Sequence, residues 1–438
     1  MSSEWETAAL GETVVFLSGN TPSKSNTDYW GTGTSWISAK DMKSFWVESA
    51  EDTLTAAGVE AASRLVEPGT TLLLTRGMTL HHDVPIVRTR FAAAFNQDVK
   101  AVVPRSRVLA DYVPYLLLGN KPRLRSMVDS AGHGTGRLNS DSLKALQVAI
   151  PSIEEQRDIA SFFGAIDDRI ALLRETNATL EAIAQALFKS WFVDFDPVSA
   201  KQEGRAPEGM GEATAALFPD GFEESELGLV PRGWRVAPLG EVVQSAGGGT
   251  PDTKDASYWE PAQHFWTTPK DLSGMQAPVL LGTERKLSAK GIAKISSGLL
   301  PVGTLLMSSR APIGYLAMTN APMAINQGYI AILPDSVLPP LYMLFWCRLN
   351  METIKSHANG STFMEISKKA FRPLLALVPS IALLAEFVAV ASALFERIVE
   401  NEVQAQTLAT LRDTLLPRLI SGQLRLPAAD ALLAEFAA

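Results

Sequence analysis

The sequence has little of what several classes of protein require. It contains one cysteine, Cys347, inside the apolar run LYMLFWC, which excludes a disulfide framework and the usual thiolate metal cluster. The start, MSSEWETAALGE, carries acidic residues where a secretory signal has basic residues followed by an apolar stretch. These features predict a protein of the reducing cytoplasm, with no membrane association.

Motifs of several enzyme classes are also missing. No GxxxxGK[ST] loop is present to hold a triphosphate, and turn formation explains the glycines of GHGTGR and AGGGTPD. The Asn/Asp-Pro-Pro-aromatic motif of amino-methylating enzymes is absent as well. His81–Asp83 is a poor metal site because no partner ligands accompany it, and Pro251–Asp252 with Glu284–Lys286 only loosely mimics a nuclease. We therefore expect neither catalytic residues nor a metal or cofactor in this chain.

The charge is negative overall and unevenly distributed. The net charge is -8, which argues against a protein that coats nucleic acid by itself, because cationic side chains supply most non-specific affinity. Arg88–Arg125 nevertheless holds eight basic residues against two acids, whereas Asp196–Glu226 holds eight acids against two bases. The second stretch is predicted to be a solvated acidic linker.

The chain contains an internal duplication. Short motifs recur with an offset that stays between 226 and 234 residues. The matches include Trp5, Leu10 and Glu12 with Trp234, Leu239 and Glu241; Thr21-Pro22 with Thr250-Pro251; Lys40-Asp41 with Lys270-Asp271; Arg76 with Arg310; and Asn96-Gln97 with Asn326-Gln327. Each copy therefore repeats one structural plan.

Within each copy, short strand-like runs separated by turn residues precede a long helical pattern. We predict an α+β protein with two similar globular domains, two long coiled-coil helices between them, and an internal pseudo-twofold. The predicted division is 1–150 for the first domain, 151–195 for a central helix, 196–226 for the linker, 227–378 for the second domain, 379–425 for a C-terminal helix and 426–438 for a tail.

Both long helical segments carry a heptad seam. One apolar series runs through Ile159, Ile166 and Leu173, a second runs four residues behind it, and Asn177 and Asn401 interrupt the seams near their middles. An antiparallel register in which facing residue numbers sum to 578 pairs the two asparagines. Each helix exceeds thirty residues, or roughly 45 Å, a scale that suits two DNA readers about one helical turn apart.

The chain resembles the specificity subunits of type I restriction-modification systems over essentially its whole length. The resemblance rests on LFKSWFVDFDP at Leu187–Pro197, ELGLVPRGWRVAPLGE at Glu226–Glu241 and LLPRLISGQLRL at Leu415–Leu426. It implies that the two globular domains are target-recognition domains, each reading half of a bipartite asymmetric DNA site, and that two antiparallel helices hold them apart. The helices would dock two methylation subunits and, through them, restriction subunits. S-adenosylmethionine, ATP and Mg would belong to those partners. A coiled-coil scaffold that reads no DNA and a fused restriction enzyme are the alternatives.

Polar and basic residues in glycine-rich loops are the candidates for DNA contact, since such loops approach a groove closely. The recurrence of Arg76 and Arg310 favours a salt bridge that fixes the fold in both copies, whereas His133 and Arg137 differ from their counterparts and suit specificity better. The DNA-binding candidates are Arg76, His81, His82, His133, Thr135, Arg137, Arg310, Asn359, Ser361, Lys368 and Lys369, and the predicted register residues are Asn177 and Asn401.

Overall fold

A computed structural model describes residues 5–62, 64–131, 134–360 and 364–426. The chain forms two compact units, the first from residues 1–172 with 405–438 and the second from residues 173–404. Each unit contains one globular module and part of each of two long helices. Within the described residues, no helix is both long enough and apolar enough to cross a membrane.

The first unit contains module 1, a mixed structure of short strands and helices. Its strands are β1 (Glu6–Ala9), β2 (Val14–Ser18), β3 (Trp30–Ile37), β4 (Trp46–Val47), β5 (Asp52–Leu54), β6 (Thr71–Leu74), β7 (Arg76–Gly77), β8 (Ile86–Thr89), β9 (Ala93–Phe95), β10 (Val99–Pro104), β11 (Val128–Ala131), β12 (Thr135–Leu138) and β13 (Gln147–Ile150). Its helices are α1 (Leu10–Thr13), α2 (Ala56–Ala62), α3 (Val113–Gly119), α4 (Lys121–Ser126) and α5 (Ser140–Ala145).

The main sheet of module 1 has the strand order β2-β10-β6-β8-β4. Neighbouring strands are antiparallel except for β4 and β8, which are parallel. The run TTLLLT supplies the central strand β6, and Leu72, Leu73 and Leu74 are all fully buried. A continuous apolar run is typical of a strand covered on both faces. Smaller sheets have the orders β5-β3-β9, β11-β12-β7 and β1-β13.

The first long helix, α6, spans Ile153–Phe192, within the predicted 151–195. Ser152 and Glu155 form a reciprocal capping arrangement at its start: the Glu155 N–H donates to Ser152 Oγ at 3.2 Å, and the Ser152 N–H donates to Glu155 Oε2 at 3.1 Å. The helix therefore begins where unpaired backbone N–H groups have side-chain acceptors.

The second unit contains module 2 and the segment that precedes it. Its strands are β14 (Phe222–Ser225), β15 (Gly228–Pro231), β16 (Arg235–Pro238), β17 (Ser245–Ala246), β18 (His264–Thr267), β19 (Val279–Leu280), β20 (Lys286–Leu287), β21 (Leu305–Ser308), β22 (Leu316–Thr319), β23 (Met323–Ile325), β24 (Tyr329–Ile332) and β25 (Leu375–Val378). Its short helices are α7 (Asp196–Gln202), α8 (Glu212–Ala216), α9 (Leu239–Val242), α10 (Ala289–Ile292), α11 (Pro340–Leu349), α12 (Met351–Ser356) and α13 (Lys368–Phe371).

Module 2 repeats the sheet topology of module 1. Its main sheet has the order β17-β24-β21-β22-β19, with β19 and β22 parallel, and a smaller sheet has the order β20-β18-β23. The matching orders in module 1 are β2-β10-β6-β8-β4 and β5-β3-β9. The sequence duplication is therefore a duplication of topology, and the α+β prediction with two similar domains is confirmed.

The segment 196–226, predicted as a solvated acidic linker, is instead folded. It forms α7, α8 and the first strand of the β14–β15 hairpin, and Val198 and Phe218 are buried in the core of the second unit. The ring centroids of Phe218 and Trp191 lie 5.2 Å apart, and the Lys201 ammonium donates to the Phe218 carbonyl. The prediction weighed the eight acids and missed the apolar residues between them.

The second long helix, α14, spans Ile381–Ile420. Within the second unit it runs antiparallel to α6: Asn177 contacts Asn401, and the rings of Trp191 and Phe387 lie 6.2 Å apart. Both pairs sum to 578, the register predicted from the heptad seam. Within the first unit, Arg412 of α14 forms an ion pair with the buried Asp167 of α6.

Candidate nucleic-acid interface

In module 1, the two candidate loops lie side by side in one small sheet. Strand β7 pairs with β12, so that Arg76 stands opposite Arg137 and Gly77 opposite Gly136. A β-carbon at Gly136 would lie only 2.8 Å from Leu80 Cβ, so the close packing requires glycine there. The loops that the sequence separates by sixty residues therefore share one surface.

The charges of this surface are unbalanced. Arg76 and Arg137 are both exposed, and like charges directly opposite each other destabilise an antiparallel pair. Asp129 of β11 faces Arg137 from the other side, so these three neighbouring side chains keep one excess positive charge. Among the described residues, neither arginine forms an ion pair with a carboxylate. The two arginines are therefore suited to bind an anion such as a phosphate.

His81 ties the two loops together. Its Nε2 makes a hydrogen bond of 2.8 Å with the Gly134 carbonyl oxygen, and His82 follows at the end of the same 3-10 turn. Asp83 forms an ion pair with Lys121 at 2.6 Å. Nowhere in the described part of the chain do three or more His, Cys, Asp or Glu side chains gather as a metal site would require.

In module 2, the matching loops also meet, but with a different charge pattern. Arg310 forms a β-bridge with Glu365, and its Nη1 lies 3.6 Å from Glu365 Oε2. Asn359 and Glu365 exchange two backbone hydrogen bonds of 2.9 Å. The predicted salt bridge is therefore present at Arg310, whereas Arg76 forms none among the described residues, although both arginines recur in the duplication.

The remaining candidates have varied positions. Lys368 and Lys369 begin α13, whose start is capped by Ser367, and a β-carbon at Gly247 would lie 3.0 Å from Lys368 Nζ. Thr135 is a half-buried residue of β12. The candidates His133 and Ser361 lie outside the described residues.

The structure reveals a surface that sequence reasoning missed, which we call the basic–aromatic face of module 2. The Arg285 guanidinium lies 4.2 Å from the Trp259 ring centroid and 4.6 Å from that of Trp266. Three lysines, Lys286, Lys290 and Lys294, also lie over aromatic rings. The face comprises Tyr258, Trp259, Phe265, Trp266, Arg285, Lys286, Lys290 and Lys294.

The acid Asp255 also lies beside this face. Asp255 Oδ1 accepts hydrogen bonds from the Ser257 hydroxyl at 2.6 Å and from the Ser257 N–H at 3.0 Å, and these bonds lower the pKa of the Asp255 carboxyl. Lys290 Nζ lies 3.9 Å from the same carboxylate. The spacing of Lys286, Lys290 and Lys294, four residues apart, was the signal available in the sequence.

The corresponding surface of module 1 is acidic. The positions correspond because β-carbons at Gly58 and Gly291 would each lie 2.2 Å from the carbonyl oxygen of an equivalent tyrosine, Tyr29 or Tyr258. Lys40 of module 1 forms ion pairs with Glu51 at 2.9 Å and Asp52 at 3.0 Å, and hydrogen bonds to these two carboxylates raise the pKa of Lys40 to about 12. Lys24 lies 5.6 Å from the Trp30 ring centroid and 5.8 Å from that of Trp36, the pair equivalent to Trp259 and Trp266. Module 1 therefore has this one lysine over its aromatic pair and neutralises Lys40, where module 2 gathers four cations.

Comparisons with known proteins agree with this architecture. The family model of the type I restriction modification DNA specificity domain matches twice, at residues 2–182 and 231–379. The chain is 26% identical over 445 residues to the type I restriction enzyme MjaIX specificity subunit of Methanocaldococcus jannaschii, covering 96% of this chain and 94% of that protein. It is 29% identical over 361 residues to the HindI specificity subunit of Haemophilus influenzae, covering 72% and 78% respectively.

The fold is shared with a solved structure. The crystal structure of the type I restriction-modification system S subunit from M. genitalium aligns with a TM-score of 0.50 at 14% identity, covering 95% of this chain and 96% of that one. The family model covers both modules, and the fold agrees with that of a specificity subunit. The chain therefore belongs to the family of the type I restriction modification DNA specificity domain, as a two-module subunit that recognises DNA sequence and is not itself catalytic.

Proposed function

We propose that each module reads one half of an interrupted, asymmetric site in double-stranded DNA through its paired loops. One observation carries the proposal: two modules with the same strand order present different side chains at the same place. Module 1 has Arg76 opposite Arg137, whereas module 2 has Arg310 bonded to Glu365. A common framework with unlike surfaces suits unlike half-sites.

The side chains of these loops have suitable chemistry. An arginine can donate two hydrogen bonds to guanine O6 and N7 or to a phosphate, and an asparagine can recognise adenine. Arg137 is the leading base-reading residue of module 1, and Asn359, which stands opposite Glu365, is the leading base-reading residue of module 2. Lys368 and Lys369, at the start of α13, are suited to phosphate contacts.

A domain exchange tests independent reading. Residues 5–150 are replaced by the corresponding segment of another family member, and the complex with methylation subunits selects its sites from random duplexes. We expect one half of the recognised sequence to change. The reciprocal exchange of residues 234–378 is the control and should change the other half. A change in both halves from either exchange would contradict independent reading.

We further propose that the long helices dock two methylation subunits, which in turn carry restriction subunits. The chain has a net charge of -8, so basic surfaces of partners would supply phosphate contacts that it lacks. Ile183 and Val390 of the two long helices are 50% and 41% exposed, which suits an apolar contact with a partner. S-adenosylmethionine, ATP and Mg belong to the partners in this scheme, and the complex acts in the cytoplasm.

Assembly is measured by light scattering of the chain mixed with its methylation subunits. The double variant Ile183→Glu/Val390→Glu should lose the complex of one chain with two methylation subunits. Leu229→Glu alters an apolar residue that is 65% exposed in the β14–β15 hairpin, and this control should assemble normally. Normal assembly of the double variant would overturn the docking proposal.

Calorimetric titration of the chain alone with S-adenosylmethionine should give no heat of binding.

A further inference from the structure

The basic–aromatic face adjoins the candidate loops of module 2. Ser309, next to Arg310, donates its N–H to the Gly328 carbonyl at 2.8 Å, and Thr250 Oγ1 donates to Gln327 Oε1 at 2.7 Å. The loop that contains Thr250 then meets the aromatic pair, because the Trp266 indole N–H donates to the Gly249 carbonyl at 3.1 Å. One hydrogen-bonded path therefore joins the recognition loops to this face.

The aromatic rings fix the cations while leaving their donors available. A guanidinium stacked on an indole keeps its N–H groups at the edge, where an anion can accept them. Among the described residues, Arg285, Lys286 and Lys294 form no ion pair with a carboxylate. Lys290 donates to Ser257 Oγ at 2.6 Å and lies 3.9 Å from the Asp255 carboxylate. The face is thus both ordered and positively charged.

The two modules have opposite charge at this position. Between residues 284 and 294, module 2 has four cations and one acid. Between the equivalent residues 51 and 61, module 1 has three acids and no cation. Lys290 and Lys294 correspond to Ala57 and Ala61, both of which are exposed. A duplicated framework has therefore diverged by six charges within eleven residues.

We propose that the basic–aromatic face of module 2 binds the phosphate backbone of duplex DNA beside its half-site, and that module 1 has no such contact. The complex is then anchored non-specifically on one side only. This inference rests on the proposed DNA reading by module 2, because the face adjoins those loops. Phosphate is the ligand that fits, since a cluster of ordered cations that outnumbers its neighbouring carboxylates attracts anions and makes no distinction among bases.

The dependence of affinity on salt tests the proposal. The full chain, assembled with methylation subunits, is titrated by fluorescence anisotropy with its selected duplex and with a random duplex over a range of KCl concentrations. Lys290→Ala/Lys294→Ala gives module 2 the residues that module 1 has at the same exposed positions, Ala57 and Ala61, so folding is retained. The slope of log K against log salt is negative, and each lost phosphate contact reduces its magnitude by about 0.9, so the double variant should have a slope shallower by about 2.

Arg235→Gln/Lys355→Gln is the charge-matched control in the same unit, because both cations already have carboxylate partners, Glu241 and Glu352. It should leave the slope unchanged. The test variant should bind both duplexes more weakly, by the same factor, and should still select the same sequence. An unchanged slope, an equal loss in the control, or a loss confined to the selected duplex would overturn the phosphate anchor. Failure of every variant to prefer any sequence would instead count against DNA reading itself.

Discussion

Asn401 donates a hydrogen bond from its side-chain amide to Asn177 Oδ1 at 2.9 Å, near the middle of α14 and of α6. Both residues are only 2% exposed. The Asn177 amide in turn donates to the Ile398 carbonyl at 3.3 Å. A polar layer in an apolar seam costs stability unless both members are satisfied together, so the pair favours one register.

Replacing one member of this pair should cost more than replacing both. Asn177→Leu leaves the buried Asn401 amide without its acceptor, and we expect a loss of about 1 to 3 kcal/mol in the free energy of unfolding. The double variant Asn177→Leu/Asn401→Leu should recover most of that loss. Urea unfolding measures both values. Equal losses for the single and double variants would show that the amides do not depend on each other.

Helix length should set the gap between the half-sites. Inserting seven residues into α6 and seven into α14 lengthens both helices by roughly 10 Å, since an α-helix rises about 1.5 Å per residue. The gap of the selected DNA sequence should grow by about three base pairs, at about 3.4 Å each. Site selection from random duplexes measures the change. An unchanged gap would mean that the helices do not act as a spacer.

The buried ion pair between Asp167 and Arg412 should be replaceable by an apolar layer. Tyr115 also donates to Asp167 at 3.1 Å. Burial raises the pKa of Asp167, because desolvation of the carboxylate outweighs the attraction of the guanidinium and the bond from Tyr115. Arg412→Ala leaves a buried charge unpaired and should cost about 3 to 5 kcal/mol of unfolding free energy.

The duplication supplies the matched control for this prediction. Phe395 and Ala184 occupy the corresponding positions of the second unit, 228 residues from Asp167 and 228 residues from Arg412. Asp167→Phe/Arg412→Ala should therefore be more stable than Arg412→Ala alone in the same urea measurement. A double variant as unstable as the single one would indicate that the ion pair has a structural role that apolar packing cannot replace.

Arg137 and Arg310 should differ in their effect on sequence preference. Arg137→Ala removes a cation that has no ion pair among the described residues, and we expect discrimination at one base pair to fall by about 1 to 3 kcal/mol. Arg310→Ala removes the partner of Glu365, and it should leave the selected sequence unchanged. Competition between duplexes with single base changes measures both. The opposite outcome would assign base reading to the recurring arginines.

Several recurrences in the sequence identify the common framework. Thr21 Oγ1 donates to Gln97 Oε1 at 2.6 Å, and Thr250 Oγ1 makes the same bond to Gln327 at 2.7 Å. The repeated Lys-Asp pairs also have a structural reason, because Asp41 and Asp271 each cap a 3-10 turn. Recurring residues of this kind bond to groups within their own copy, so their repetition in the sequence indicated the repeated topology.

The sequence by itself determined the duplication, the two long helices and their register, because these follow from periodicity and from the pairing of two buried amides. Only the tertiary structure showed that Arg76 faces Arg137 while Arg310 faces Glu365, and that Arg285 stacks on Trp259 and Trp266. These relationships join residues distant in the chain. A side chain's charge is visible in the sequence, but its partner depends on which strands pair, and pairing is decided by the packing of the whole module.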